Sequence, residues 1–290
     1  MTEIIDIHPH IISPDTARYP LAPLGGTQSN WSSDHPISAD GLVAAMDEAG
    51  IAKAVVVQAS TAYGFDNSCL ADAVAAHPDR LTGVFSVDVL APDAVERIRA
   101  WQARGLVGMR LFTTGSTMPT QADWLDDPAS YPAWAHAEAE GLPVCLQMRP
   151  EGIPKVRRLL DRFPNAIVVL DHLARSPLED GPPYAAAQPL WDLASYPGVN
   201  LKLTLRNIEW AGDGRSTVEA FLDHMISVYG MDRVAWGSNF PAAEQPLTEI
   251  VARARDALAH LPAAKQEAIL GGTARRLYPV LDRMPAAAAA

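Results

Sequence analysis

Three histidines carry the first chemical reading of this chain. His8 and His10 stand two residues apart in EIIDIHPH, with Asp6 two residues ahead of them. A β-strand sends alternate side chains to one face, so an extended segment here turns Asp6, His8 and His10 the same way. Two imidazoles gathered at a strand end make a site for a metal or a substrate, since each neutral ring offers both a lone pair and an N–H. His172 follows the apolar run AIVVL in VVLDHLA and falls, beside Asp171, at the end of another strand. The plain alternatives are a satisfied loop pair closed off by Pro9 and a core histidine bonded to backbone.

Arginines supply the complementary chemistry. Arg110 lies inside GMRLF, Arg149 ends VCLQMRP, and Arg206 falls just past VNLKLTL. A guanidinium grips a carboxylate through two parallel hydrogen bonds. Arg110 has the strongest claim, because a charge between Met109 and Leu111 of a strand needs a partner. Arg206 reads better as a surface residue paired with a nearby acid. Ser60 and Tyr63, after AKAVVVQA, offer polar contacts, and Asn67 either joins them or caps the next helix. Lys202, inside VNLKLTL, needs a carboxylate whether it lies deep or reaches the site. Asn239 in VAWGSNFP ends the last apolar run, and its plain reading is a turn residue.

Eight β-rich runs must position these side chains: EIIDIHPH, AKAVVVQA, LTGVFSVD, VGMRLF, PVCLQM, AIVVLDH, VNLKLTL and RVAWGSN. Several are almost continuously apolar, as parallel strands covered on both faces are. Between them lie helical patterns such as ISADGLVAAMDEAG, DAVERIRAWQARG, IPKVRRLLDRFP and STVEAFLDHMISVYG, each stopped by Gly or Pro. The alternation predicts a parallel α/β fold. A doubly wound open sheet would carry a glycine-rich loop after its first strand, where HPHIISPD stands instead. The expected fold is therefore a single (β/α)8 TIM barrel over residues 1–283, with an Ala-rich flexible tail at 284–290. In such a barrel the C-terminal strand ends share one mouth. The long loop from Ile11 to His35, and the segment after LFTTG to Asp127, are placed to fold over it. Tyr19, Trp31 and Trp124 either form an apolar lid there or anchor those loops.

Composition narrows the partners. The 290 residues hold 23 Lys and Arg against 34 Asp and Glu, a formal net charge of −11. That balance gives nucleic acid or an anionic membrane no basic footprint to grip, while a few local arginines can still hold a small anion. The two cysteines, Cys69 and Cys145, lack metal-type spacing, and Cys145 reads as a buried thiol. No run reaches the roughly 20 apolar residues of a membrane span, and MTEIIDIHPH lacks a secretory leader's basic start and apolar stretch. A cytoplasmic location is expected, and the composition leaves a homo-oligomer open.

Taken in order, these motifs resemble the amidohydrolase superfamily, of the amidohydrolase 2 type. DIHPH is similar to its first-strand HxH and LDHLA to its sixth-strand histidine. The likeness is strongest to a lactonase-like branch that includes 2-pyrone-4,6-dicarboxylate lactonase and sugar-acid lactonases. QASTAYGFDNSCLADAV resembles that branch's second-strand segment, GMRLF its fourth-strand arginine motif and ILGGTARRLY its closing helix. The resemblance covers nearly the whole chain and implies hydrolysis of a lactone ring in a small carboxylated or polyhydroxylated compound, within carbon catabolism. His8, His10 and His172 would then polarise the carbonyl or hold a metal. Arg110, Arg149 and Arg206, with Ser60 and Tyr63, would bind substrate.

Two departures from the family pattern bear on mechanism. Its eighth-strand aspartate, the general base, is Asn239 here, and an amide cannot take a proton from water near neutrality. Either Asn239 is native and orients water through its carbonyl oxygen, or Asp171 or His172 is the base, or the residue is an engineered replacement for Asp, or hydrolysis has been lost. The fifth strand, VCLQMRP, also lacks the ligand that supports two-metal members. The cofactor expectation is thus none, or a single zinc or manganese ion held by His8, His10 and His172. Nonoxidative decarboxylation of an aromatic or unsaturated acid, and a noncatalytic ligand-binding barrel, are the competing functions.

Overall fold

The computed structural model describes residues 3–284. Eight parallel strands follow in chain order, each hydrogen-bonded to the next: β1 (Ile4–Asp6), β2 (Ile51–Val57), β3 (Leu81–Ser86), β4 (Leu106–Phe112), β5 (Val144–Gln147), β6 (Val168–Leu170), β7 (Val199–Leu203) and β8 (Val234–Trp236). The ring is brought nearly to closure by the Ile7 N–H, which donates to the Trp236 carbonyl at 3.3 Å. This is the (β/α)8 TIM barrel that the alternation of runs predicts.

The helices begin and end where their residues demand. Ala39–Ala49 starts at Ser38, whose hydroxyl accepts the Gly41 N–H, and stops at Gly50 in the left-handed region (φ 70°). Val218–Tyr229 is capped in the same way by Thr217, which accepts the Ala220 N–H. One apolar layer fills the space between the strands and these helices. A second fills the barrel, with Ile5, Ile7, Val55, Val57, Val84, Cys145, Val169 and Ala235 packing against Leu277, Tyr278 and Leu281 of the closing segment. Full burial of each large aliphatic side chain contributes about 1.5–3 kcal/mol.

Two expectations are corrected here. Met284, assigned to the tail, is buried, and its carbonyl accepts the Lys53 ammonium at 3.0 Å. The rest of the Ala-rich run, 285–290, lies outside the described residues. Strand alternation also does not deliver the first two histidines. Ile5 and Ile7 take the interior positions, β1 stops at Asp6, and the chain bends at Ile7 before His8 and His10 arrive at the mouth. Among the described residues no helix is long and apolar enough to cross a membrane.

Candidate active site

The mouth is assembled by latches between strand ends. Asp6, fully buried, accepts the N–H of His8 at 2.9 Å and that of Ser238 at 2.8 Å through Oδ1, which ties the end of β1 to the end of β8. The His10 N–H donates to the Phe240 carbonyl at 2.8 Å, and the Val57 N–H to the Pro9 carbonyl at 2.8 Å. Gly237 permits the close approach, since a Cβ there would meet the His8 Cβ at 2.6 Å. The three imidazoles gather as a result: the His8 ring lies 5.0 Å from His10 and 4.9 Å from His172.

His172 reaches this cluster through unusual backbone. It opens a run of four non-glycine residues, His172, Leu173, Ala174 and Arg175, all at φ between 51° and 53°. Left-handed conformation costs L-residues about 1–2 kcal/mol each, so the run persists only because its surroundings impose it. Its two ends, His172 and Arg175, line the same cavity. The Asn207 amide donates to the His172 carbonyl at 3.1 Å, and the His172 Nδ1 lies 2.9 Å from the Thr204 hydroxyl.

The cavity has a volume of about 120 Å³ and opens to solvent. His10, His172, Arg110, Arg175, Arg206, Gln147 and Asn239 line it, with Trp31 and Phe112 as apolar wall. Beneath it lies a buried charge cluster. The Asp171 carboxylate stands 2.8 Å from the Lys202 ammonium, 3.5 Å from the Arg110 Nε and 3.6 Å from the His8 Nδ1. Arg110 also donates to the Gln58 carbonyl at 2.8 Å and packs its guanidinium over Phe112.

Charge sets the protonation states. Burial works against ionised Asp171, but Lys202 and Arg110 outweigh it and hold the carboxyl below its ordinary range. Burial lowers all three histidines. Lys202 reinforces it at His8, Arg110 reinforces it at His10, which falls to about 3 against the bond to Val57, and at His172 burial prevails over Asp171 with Arg206 and Lys202 adding to it. All three rings are therefore neutral at pH 7. The His10 Nδ1 faces the Val57 carbonyl at 2.7 Å and so carries the hydrogen, leaving a lone pair on Nε2. A lone pair accepts protons and does not polarise a carbonyl, so polarisation falls to the guanidiniums. Arg175, lowered to about 10 by burial and by Arg206 and Arg149, has a buried Nε with no hydrogen-bond partner among the described residues.

The described side chains are not grouped as a divalent-ion site. His8 leaves both ring nitrogens without hydrogen-bond partners, yet among the described residues no three His, Cys, Asp or Glu side chains are grouped to hold one metal. Asp171, the carboxylate beside His8, is already matched by an ammonium and a guanidinium, and those cations repel a metal.

The sequence-predicted residues separate into two sets. His10, His172, Arg110, Arg206 and Asn239 line the cavity, whereas His8, Asp171 and Lys202 lie beneath it, fully buried. Arg206 is thus a mouth residue and not the surface ion pair its position suggested, because a helix, Leu205–Ala211, starts at once after β7 and turns it inward. Ser60 and Tyr63 do not line the cavity. The Ser60 hydroxyl bonds Ser86 at 2.7 Å, and the Tyr63 hydroxyl accepts the Ser13 N–H at 2.8 Å. Arg149 does not line the cavity either, and its Nε donates to Thr114 at 3.2 Å. Of the lid aromatics only Trp31 covers the site, 5.1 Å from the His10 ring, while Tyr19 bonds Asp72. Sequence reasoning missed Arg175 and Gln147. Arg175 sits three residues after His172 in DHLAR, but nothing in that string announces a left-handed turn. Gln147, the last residue of β5, could have been found by the strand-end rule that selected the others.

Comparison with known proteins identifies the family and the fold. Two L-fucono-1,5-lactonases match: that of Burkholderia multivorans is 26% identical over 94% of this chain and 95% of its own. That of Burkholderia ambifaria is 29% identical over 125 residues, 42% of each chain. A 4-sulfomuconolactone hydrolase of Rhizobium radiobacter is 27% identical over 81% of this chain and 75% of its own. Among solved structures, an amidohydrolase of Burkholderia multivorans with bound zinc superposes with a TM-score of 0.76 at 24% identity, covering 96% of this chain and 99% of that one. A dihydroxybenzoic acid decarboxylase of Polaromonas with bound manganese has a TM-score of 0.67 at 18% identity, covering 97% and 98%. The sequence model of the amidohydrolase family matches residues 5–280, and the chain belongs to that family.

Proposed function

We propose that this protein hydrolyses the ring ester of a small lactone that carries a carboxylate or a comparable anionic group. One observation carries the reading: three guanidiniums, Arg110, Arg175 and Arg206, converge with two neutral imidazoles on a single cavity. Cations placed to meet a developing oxyanion stabilise the transition state more than the ground state. The lactonase and lactone-hydrolase names of its relatives support the same class.

In this mechanism one guanidinium group binds the substrate's anionic substituent and another faces the ester carbonyl. A water held by the Asn239 amide attacks the carbonyl carbon and gives its proton to His172. The carbonyl electron pair moves onto oxygen, where an arginine holds it. Collapse of the tetrahedral intermediate breaks the bond to the ring oxygen, which takes the proton back from His172. Burial depresses the His172 imidazole most, and Arg206 and Arg175 add to it, so an anion that neutralises those arginines removes their share. Asp171 balances charge below the cavity, because its carboxylate faces Lys202, Arg110 and His8. No divalent ion enters any step.

Proton release against a panel of lactones, carboxylated pyrones and sugar lactones among them, with and without a chelator, tests this. Turnover of one class that survives the chelator is the expected result, and no turnover of any lactone removes the proposal. Asn239 favours one rival, a ligand-binding barrel without turnover. Tight binding of a lactone without hydrolysis, together with hydrolysis in Asn239→Asp, would replace the proposal with that reading.

A further inference from the structure

We infer that Thr204 and Asn207 are positioning residues that fix the tautomer of His172, leaving its Nε2 lone pair as the proton acceptor of the cavity. The inference rests on the hydrolytic reading for its purpose, but not for its geometry. Two backbone groups here have no choice of role. The Thr204 N–H can only donate, and it points at the Asn207 side chain at 3.0 Å, so the atom it meets is Oδ1. The His172 carbonyl can only accept, and it faces the other end of the same amide at 3.1 Å, so that atom is Nδ2. The orientation of Asn207 is thereby settled from both sides.

Oδ1 also lies 2.9 Å from the Thr204 hydroxyl oxygen. An amide oxygen has no hydrogen to give, so Thr204 donates its single hydroxyl hydrogen to Asn207. The same hydroxyl oxygen meets the His172 Nδ1 at 2.9 Å and has only lone pairs left for it. Nδ1 must then carry the hydrogen of the neutral ring, and Nε2 must be bare. Thr204 and Asn207 are fully buried, so bulk water does not compete for the Thr204 hydroxyl. Asn207 acts twice, since the amide that orients Thr204 also holds the carbonyl at the start of the left-handed run.

Sequence position shows why the arrangement is compact. Thr204 is the N-cap and Asn207 the third residue of the helix Leu205–Ala211, and together they form its capping box. An ordinary helix-start motif has been placed against a strained turn, and its hydroxyl keeps a free lone-pair side for the imidazole.

The experiment is a long-range proton–nitrogen correlation spectrum of the full chain labelled with ¹⁵N-histidine, recorded near pH 8, with the His172 resonance assigned through His172→Gln. The expected pattern is protonated Nδ1 and unprotonated Nε2. In Asn207→Ala the Thr204 hydroxyl is freed to donate to the imidazole, so the pattern moves toward protonated Nε2. Turnover then falls about 10²-fold, the low end of what a positioned general base contributes, with KM little changed. Thr204→Ser keeps both the tautomer and turnover. A wild-type His172 that shows protonated Nε2, or an even mixture of the two forms, overturns the inference even if the variants fail to fold. Absence of lactone turnover with the expected spectrum would remove the hydrolytic reading and leave the tautomer assignment standing.

Discussion

The barrel buries a lysine at each end, and the two are satisfied in different ways. At the floor, the Lys53 ammonium donates to the carbonyls of Leu281 and Met284 at 2.7 and 3.0 Å, neutral acceptors from the segment that closes the barrel. At the mouth, Lys202 stands against the Asp171 carboxylate at 2.8 Å. Around that pair Asp6 Oδ2, both nitrogens of His8, Gln147 Oε1 and Arg175 Nε are buried without hydrogen-bond partners among the described residues, and none of these orphaned atoms belongs to Lys53, Arg275 or Tyr278 of the floor. A buried polar group left unmade costs about 1–3 kcal/mol. The polar atoms left unpartnered at the mouth are groups that a ligand or water could engage, whereas the Lys53 ammonium at the floor is already engaged.

The comparison breaks most visibly at Lys202. Replacing it with Met leaves Asp171 buried beside Arg110 alone, and removal of one partner of a buried pair costs about 3–5 kcal/mol. Thermal unfolding should show a large fall in Tm. If the single variant keeps the wild-type Tm, charge balance is not what Lys202 supplies.

Arg175 sharpens the functional side. Arg175→Ala should lower kcat/KM on an anionic lactone by about 10- to 100-fold, the equivalent of 1.5–3 kcal/mol for a hydrogen bond to a charged group. The loss should be small for a lactone without the anionic group. Steady-state kinetics on the matched pair of substrates decides it, and equal losses on both would mean that Arg175 does not hold the anion.

How far the sequence reveals this site follows from the physics of each feature. The barrel is legible because its cause is local: eight apolar runs separated by capped helices repeat the same periodicity from end to end. His172, Arg110 and Asn239 are legible because strand ends share one mouth. His8 and His10 reach the mouth for a different reason, a bend at Ile7 after a three-residue strand. Arg175 depends on four left-handed residues imposed by tertiary contacts, and Arg206 on a helix that begins immediately after β7. Ser60 and Tyr63 point the other way, since short-range position placed them near the site while their hydroxyls found partners in Ser86 and Ser13.

Acid should weaken the mouth by a smaller and predictable amount. His10 is held at about 3 when folded, against about 6.5 when unfolded. Between those values the unfolded chain binds the extra proton, so stability rises with pH there and is lost as pH falls below about 6.5. At pH 5 this histidine alone removes about 2 kcal/mol. Denaturant midpoints compared at pH 7.5 and 5 should shrink by less in His10→Asn than in wild type. Equal acid sensitivity of the two proteins would show that the His10 ring protonates freely in the folded state.

The floor should give the smallest response. Lys53→Met keeps the aliphatic stem packed and removes only the ammonium that holds the Leu281 and Met284 carbonyls, at a cost of about 1 kcal/mol. The closing segment should then be cut faster in limited proteolysis, with Tm slightly lower. Kinetics is the decisive readout, because Lys53 has no contact with the cavity. Its kcat and KM should equal those of wild type at a temperature where both proteins stay folded. A loss of kcat/KM comparable to that of Arg175→Ala would mean that the floor transmits its packing to the mouth, and that the two ends cannot be assigned separate roles.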